Sequence, residues 1–134
     1  MTTINEAKES LLSYFRDNWV DTPIAYDNKN DNFANTKEPW VRVAVRMTNG
    51  GQASLGSEGN RIFRRQGLLI FQVFTLAGRG TETSDTLVQE ILDLFDGKSV
   101  GYVNIINGSP TYTGTEGKWY QQNVQFTIIF DEIK

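Results

Sequence analysis

The chain has 134 residues and a formal net charge of −3, with 39% hydrophobic, 22% charged and 12% aromatic residues, a balance that suits one folded domain spanning residues 1–134 with its own core. It contains no cysteine and no histidine. Disulfides and thiolate metal sites are thereby excluded, and the commonest general base, the imidazole metal ligand and the usual nucleophilic triads are removed, so the sequence offers no catalytic, cofactor or metal site and an enzyme is not expected.

Thr3 followed by Glu6 fits a capping box. Ile4, Ala7, Leu11 and Phe15 recur at helical spacing, which predicts a first helix over about residues 4–18, with Trp19 and Val20 packing at its end and Pro23 preventing continuation. Thr22 to Tyr26 reads as a short strand, and 27–37 as a polar Asn/Asp loop. From Trp40 to Met47 the chain alternates, with Val41, Val43, Val45 and Met47 on one face and Arg42, Ala44 and Arg46 on the other: a half-buried strand. Asn49, Gly50 and Gly51 signal a turn. Leu68 to Thr75 is apolar on both faces and belongs at the centre of a sheet. The glycine-rich stretch between these two strands forms either a flap or an extended hairpin.

Leu76 to Gly80 breaks the strand. A second helix over about 81–95 follows, with Thr81 as cap, a core stripe of Leu87, Val88, Ile91, Leu92 and Phe95, and Gly97 at its stop. Val100 to Ile106 is a further strand. Residues 107–117 are turn-rich, with a short edge strand near Thr111 and Tyr112. Trp119 to Phe130 closes the chain as a long strand whose wet face carries Gln121, Asn123, Gln125 and Thr127. The order α-β-β-β-α-β-β predicts an α+β domain of two layers, a mostly antiparallel sheet with two amphipathic helices and an extended hairpin or loop. The N-terminal MTTINEAKESLL has no leader pattern and no apolar run approaches a membrane span, so a soluble cytosolic chain without a membrane partner is expected.

Charge is placed unevenly. Residues 1–41 sum to −3, residues 42–79 to +5 and residues 80–134 to −5. Every cation of the middle segment is arginine (Arg42, Arg46, Arg61, Arg64, Arg65 and Arg79), the side chain suited to bidentate contact with carboxylate or phosphate. Arg61, Arg64 and Arg65, with Phe63 to stack, could grip nucleic acid, pair with carboxylates of a neighbouring subunit, or stand solvated; the acidic net charge argues against a dedicated nucleic-acid binder. Trp40, Trp119 and Tyr120 at strand starts suit either sheet packing or interface anchoring. Gly78-Arg79-Gly80 before a helix resembles an anion loop only weakly, and a plain strand-to-helix turn is the simpler reading. Asp93 and Asp96 could hold a cation loosely but fit a solvated helix face.

Taken in order, YFRDNW, TPIAYDN, EPWVRVAV, SLGSEGNRIFRRQGLLIFQVFT, GRGT and KWYQQNVQFTIIFDE resemble the small tail-completion proteins, or tail terminators, of long-tailed phages. The specific parts are Pro39-Trp40-Val41-Arg42-Val43, Leu55-Gly56, Arg64-Arg65-x-Gly67, Gln72-Val73-Phe74, Gly78-x-Gly80 and Trp119-Tyr120; Leu76 departs from the proline of the pattern. The resemblance implies a structural virion protein, assembled in the host cytoplasm and placed at the head-proximal end of the tail. It implies a ring, typically of six copies, that caps the tail tube, stops its elongation and joins the head-tail connector, with genomic DNA passing through the lumen without sequence-specific binding. It carries over no catalytic residue. The +5 and −5 segments set the expected interface residues of such a ring as Arg61, Phe63, Arg64, Arg65, Trp40, Arg42 and Arg46, the arginine hairpin reaching a neighbour's acidic second helix or acidic last strand. A different neck component, such as a head-closure or adaptor protein, and a nucleic-acid module using the arginine loop are the alternatives.

Overall fold

The computed structural model describes residues 3–27 and 36–134; most of the Asn/Asp loop expected over 27–37 therefore lies outside the described residues. Helix α1 (Ile4–Asn18) begins at the expected capping box: the Glu6 N–H donates to Thr3 Oγ1 at 3.2 Å and the Thr3 N–H to Glu6 Oε1 at 3.4 Å. Its inward stripe is Ala7, Leu11 and Phe15, all fully buried. Trp19 stacks on Phe15 at 5.3 Å, whereas Val20 is 88% exposed and does not pack at the helix end.

Among the described residues six strands form one sheet in the order β1-β2-β3-β6-β5-β4. They are β1 (Ile24–Tyr26), β2 (Trp40–Gln52), β3 (Ile62–Leu76), β4 (Ser99–Val100), β5 (Val103–Glu116) and β6 (Trp119–Ile133). β1 and β2 pair in parallel, and β2–β3, β3–β6, β6–β5 and β5–β4 are antiparallel. The doubly apolar β3 sits centrally between β2 and β6, as its pattern requires. Helix α2 (Glu82–Phe95) buries Leu87, Val88, Ile91 and Phe95 against the sheet. Phe15, Phe71, Phe95 and Phe126 form the centre of the core, with successive ring centroids 4.8, 5.2 and 5.6 Å apart across Phe15–Phe71, Phe71–Phe95 and Phe95–Phe126. Each buried phenylalanine contributes about 1.5–3 kcal/mol by leaving water.

Two turn signals in the sequence are β-bulges in the fold. Asn49-Gly50-Gly51 is paired within β2, opposite Gln66, Arg65 and Arg64, just past a register shift between Met47 and Asn49. The hairpin is therefore extended, and the chain reverses only between Gln52 and Ile62, where the Ala53 N–H donates to Ile62 O at 2.7 Å. Likewise residues 107–116 continue β5, with shifts between Ile106 and Ser109 and between Tyr112 and Gly114. The expected strand over 100–106 is divided by a turn at Gly101-Tyr102 into β4 and β5. Thr81 occupies the α2 cap position without a side-chain cap bond; its carbonyl instead accepts from the Asp85 N–H at 2.8 Å and Ser84 Oγ at 3.1 Å.

The helices and the main core share one sheet face. On the other face Ala25, Trp40 and Phe74 are buried in a second cluster, with Trp119 against it. Trp40 stacks on Phe74 at 4.1 Å and meets Trp119 edge-on at 6.0 Å. These tryptophans thus pack within their own domain.

Candidate subunit interface

Strand pleat divides the arginine cluster. Successive residues of β3 point to opposite faces, so Arg64 lies on the helix-free face while Phe63 and Arg65 lie on the face that carries the helices lower down. A single grip formed by Arg61, Arg64 and Arg65 together does not exist.

On the helix-free face, Arg64 stands directly opposite Asp131 in the β3–β6 register. It donates from Nε to Oδ1 at 2.9 Å and from Nη2 to Oδ2 at 3.3 Å. Those bonds, and then the carboxylate charge, raise the Arg64 pKa further above its ordinary value. Arg46 pairs in the same way with Asp27, again with a raised pKa from the hydrogen bond and the charge. Arg42 lies with its Cζ 5.3 Å from the Trp40 ring and 5.6 Å from Phe74, and donates to Gln72 Oε1 at 3.4 Å. Above these residues Ile62, Tyr102, Ile129 and Ile133 line a hollow of about 490 Å³ with the Arg64–Asp131 pair in its wall.

On the other face, Phe63 is surrounded by cations: Arg61 and Arg65 each lie 5.8 Å from the ring centroid and Lys134 Nζ 5.7 Å. Arg65 Nε is 3.5 Å from Glu132 Oε2, and Lys134 Nζ 3.9 Å from Glu132 Oε1. Arg61 donates to the Lys134 carbonyl at 3.4 Å. Sequence reading missed Asp131, Glu132 and Lys134 as members of this region. The acidic-basic residues after the last apolar alternation were the available signal, and they count because β6 runs on to Ile133.

The second helix carries the opposite charge. Glu82, Asp85, Glu90 and Asp93 lie on α2 and Asp96 caps it, with no Lys or Arg in the helix. Among the described residues none of these acids makes an ion pair with Lys or Arg. Asp93 accepts from Gln89 Nε2 at 2.8 Å and Asp85 from Gln122 Nε2 at 2.8 Å. The Glu90 carboxyl is pushed up to about 6, first by a hydrogen bond with Asp21, then by burial and the charges of Asp21 and Asp93. Gln122 is itself 1% exposed and also donates to Ser84 Oγ at 2.6 Å. It sits in phase with Val124 and Phe126 on the core face of β6, and a glutamine at that phase was the sequence signal for the polar tie that docks α2.

No metal constellation forms: among the described residues no group of three or more His, Cys, Asp or Glu could hold an ion. Gly78 and Gly80 adopt φ of +82° and +74°, the plain turn conformation that favours glycine. Arg79 between them makes no ion pair among the described residues. The site is thus a pair of charged surfaces.

The model of the family described as "Phage tail terminator protein" matches residues 4–126. A solved structure shares the fold with a TM-score of 0.65 at 13% identity, over 95% of this chain and 96% of its own. No curated protein matches the sequence.

Proposed function

The chain belongs to the phage tail terminator protein family, and from that premise we propose that it forms a ring on the finished end of the tail tube. As a family member it is a bacteriophage tail protein of the virion. In the proposed reading the ring, of six copies as the resemblance implies, assembles in the host cytoplasm and sits at the head-proximal end. One side matches the tube subunits and the other presents a different surface, so no further tube subunit can add. That second surface receives the head-tail connector, and genomic DNA passes through the opening without sequence-specific contact. One domain over residues 1–134 does this as a structural protein, without catalysis or a cofactor.

The observation that carries the reading is the extent of the family match. It runs from the first residue of α1 to the middle of β6, so the match takes in both helices and most of the sheet and not one motif alone. The charge layout supports self-association through a heterologous contact, in which one surface of a copy meets a different surface of the next and the rotation closes. We assign the contact to the hairpin stem, with Arg61, Phe63 and Arg65 on one face of it and Arg64 on the other, above Arg42 and Arg46; Trp40 acts from beneath by holding Arg42.

Native mass spectrometry and negative-stain imaging of purified tail tubes test this. Rings, or caps on tube ends that block further tube growth, are expected. A strict monomer at high concentration that also ignores tube ends overturns the proposal, and binding to isolated connectors but not to tubes would make the chain a head-closure or adaptor component instead. Arg64→Glu combined with Arg65→Glu should lower ring yield at least tenfold. Because it also sets Glu against Asp131 and Glu132 across the ladder, melting curves are read beside it, and Arg64→Gln with Arg65→Gln, which adds no like charge, should lower the yield in the same direction. An unchanged yield removes them from the interface.

A further inference from the structure

On the face of β3 that carries the helices, full burial ends at Gly67, and Arg65 and Phe63 beyond it are only partly buried. Arg61, Arg65 and Lys134 converge on the Phe63 ring at 5.7–5.8 Å. Among the described residues one acidic side chain, Glu132, lies within 4 Å of two of them, and Arg61 pairs with no Asp or Glu, its Nε donating instead to the Lys134 main-chain oxygen at 3.4 Å. The ring face attracts each cation, but three like charges around one aromatic repel one another, and one acid does not neutralise them. The cluster is built to receive further negative charge.

The same chain holds the matching surplus. The outer face of α2 bears acids without a single Lys or Arg, and Asp93 and Asp96 stand at its carbonyl end, where negative charge opposes the helix dipole. Positions that break a local rule in a natural sequence without compensation inside the fold are expected at functional surfaces. The other acidic candidate is already engaged: Asp131 and Glu132 of β6 are paired with Arg64 and Arg65 of their own chain.

We infer that the Phe63 cluster docks on the outer face of α2 of a second copy of this chain. The two halves are different surfaces, so the contact is heterologous and each copy offers one of each, as a closed ring requires. The inference rests on the ring reading above and narrows it by naming the partner surface. Duplex DNA, the rival polyanion, meets a chain of net charge −3 and is the less suitable occupant.

The test is a charge exchange in the full-length chain, read by sedimentation velocity at about 0.1 M salt with melting curves as the folding control. Arg61→Glu with Lys134→Glu should weaken self-association roughly tenfold or more, and Asp93→Lys with Asp96→Lys should do the same; the latter pair improves the helix dipole, so the fold is not put at risk. All four substitutions in one chain should restore association to within a few-fold of the parent. If either pair has no effect, or the fourfold variant associates no better than the pairs, the inference is wrong. Should a pair fail to fold, Arg61→Gln and Asp93→Asn take its place under the same criteria. Loss of duplex-DNA binding in Arg61→Glu with Lys134→Glu, with self-association intact, also overturns it in favour of a nucleic-acid site. A parent chain that never self-associates, even on tubes, instead removes the ring reading itself.

Discussion

Glu90 lies half-buried on α2 with Asp21 and Asp93 as its nearest charges, and its Oε2 has no hydrogen-bond donor among the described residues. Its pKa of about 6 stands above the ordinary 4.5, so the folded chain holds this proton more tightly than the unfolded chain does. The sign follows from linkage. Stability from the neutral carboxyl is fully present below about pH 4.5, declines as pH rises, and is lost once pH passes about 6. Glu90→Gln keeps a neutral side chain that can donate to Asp21 at every pH. The variant should match the parent near pH 4 and exceed it near pH 7.5, by no more than ~1 kcal/mol because solvent screens the group. Thermal melts at the two pH values check this, and a difference of equal size at both would show that the carboxyl charge is not the cause. The residues that define the interface differ in how readable they were. Arg61, Arg64 and Arg65 are conspicuous as a cluster, but their partners are not, because a carboxylate almost 70 positions away becomes a neighbour only through the β3–β6 register.

Among the elements, the extended hairpin contains a close backbone approach that a glycine accommodates. Gly67 is buried on β3, and a Cβ there would lie 2.6 Å from the Arg46 carbonyl oxygen and 3.2 Å from Met47 Cε. The carbonyl belongs to the ladder next to the bulge and cannot retreat without loosening both strands. Gly67→Ala should cost ~1–3 kcal/mol and be seen as a lower urea midpoint, together with reduced ring yield if the stem carries the contact; a midpoint equal to the parent's would show that the stem relaxes freely. The two helices, β2, β3 and β6 were legible because each has one clear period: Leu87, Val88, Ile91 and Phe95 for α2, and Val124 to Phe130 for β6. Their lengths were not. Asn49-Gly50-Gly51 and the run from Asn107 to Gly117 carry turn residues, yet both extend strands, since pairing with β3 and β6 outweighs local propensity and absorbs the extra residues as bulges. Asn107 shows the mechanism: its φ of +57° supplies the left-handed step that a turn would also use.

At the scale of the whole molecule, the segment charges of +5 and −5 do not remain as two opposed surfaces. Folding sets Arg64 on Asp131, Arg65 on Glu132 and Arg46 on Asp27, so much of the positive charge is satisfied inside the subunit. Among the described residues, what remains without an opposite side-chain charge is smaller: Arg42 and Arg79, the excess of positive charge around Phe63, and the acids of α2. An assembly driven by that remainder must respond to salt in a defined direction. Between about 0.1 M and about 1 M salt the screening length falls from roughly 10 Å to roughly 3 Å. Contacts across a partly hydrated charged interface then weaken, whereas burial of apolar surface holds or strengthens as salt rises. The self-association constant should therefore fall at least tenfold over that range, and the fall should be shallower for Arg61→Glu with Lys134→Glu, which has already lost the attraction. Equilibrium sedimentation at several salt concentrations measures both slopes. An association constant that stays flat or rises would assign the contact to apolar surface instead, and the hollow lined by Ile62, Tyr102, Ile129 and Ile133 would become the place to look for it.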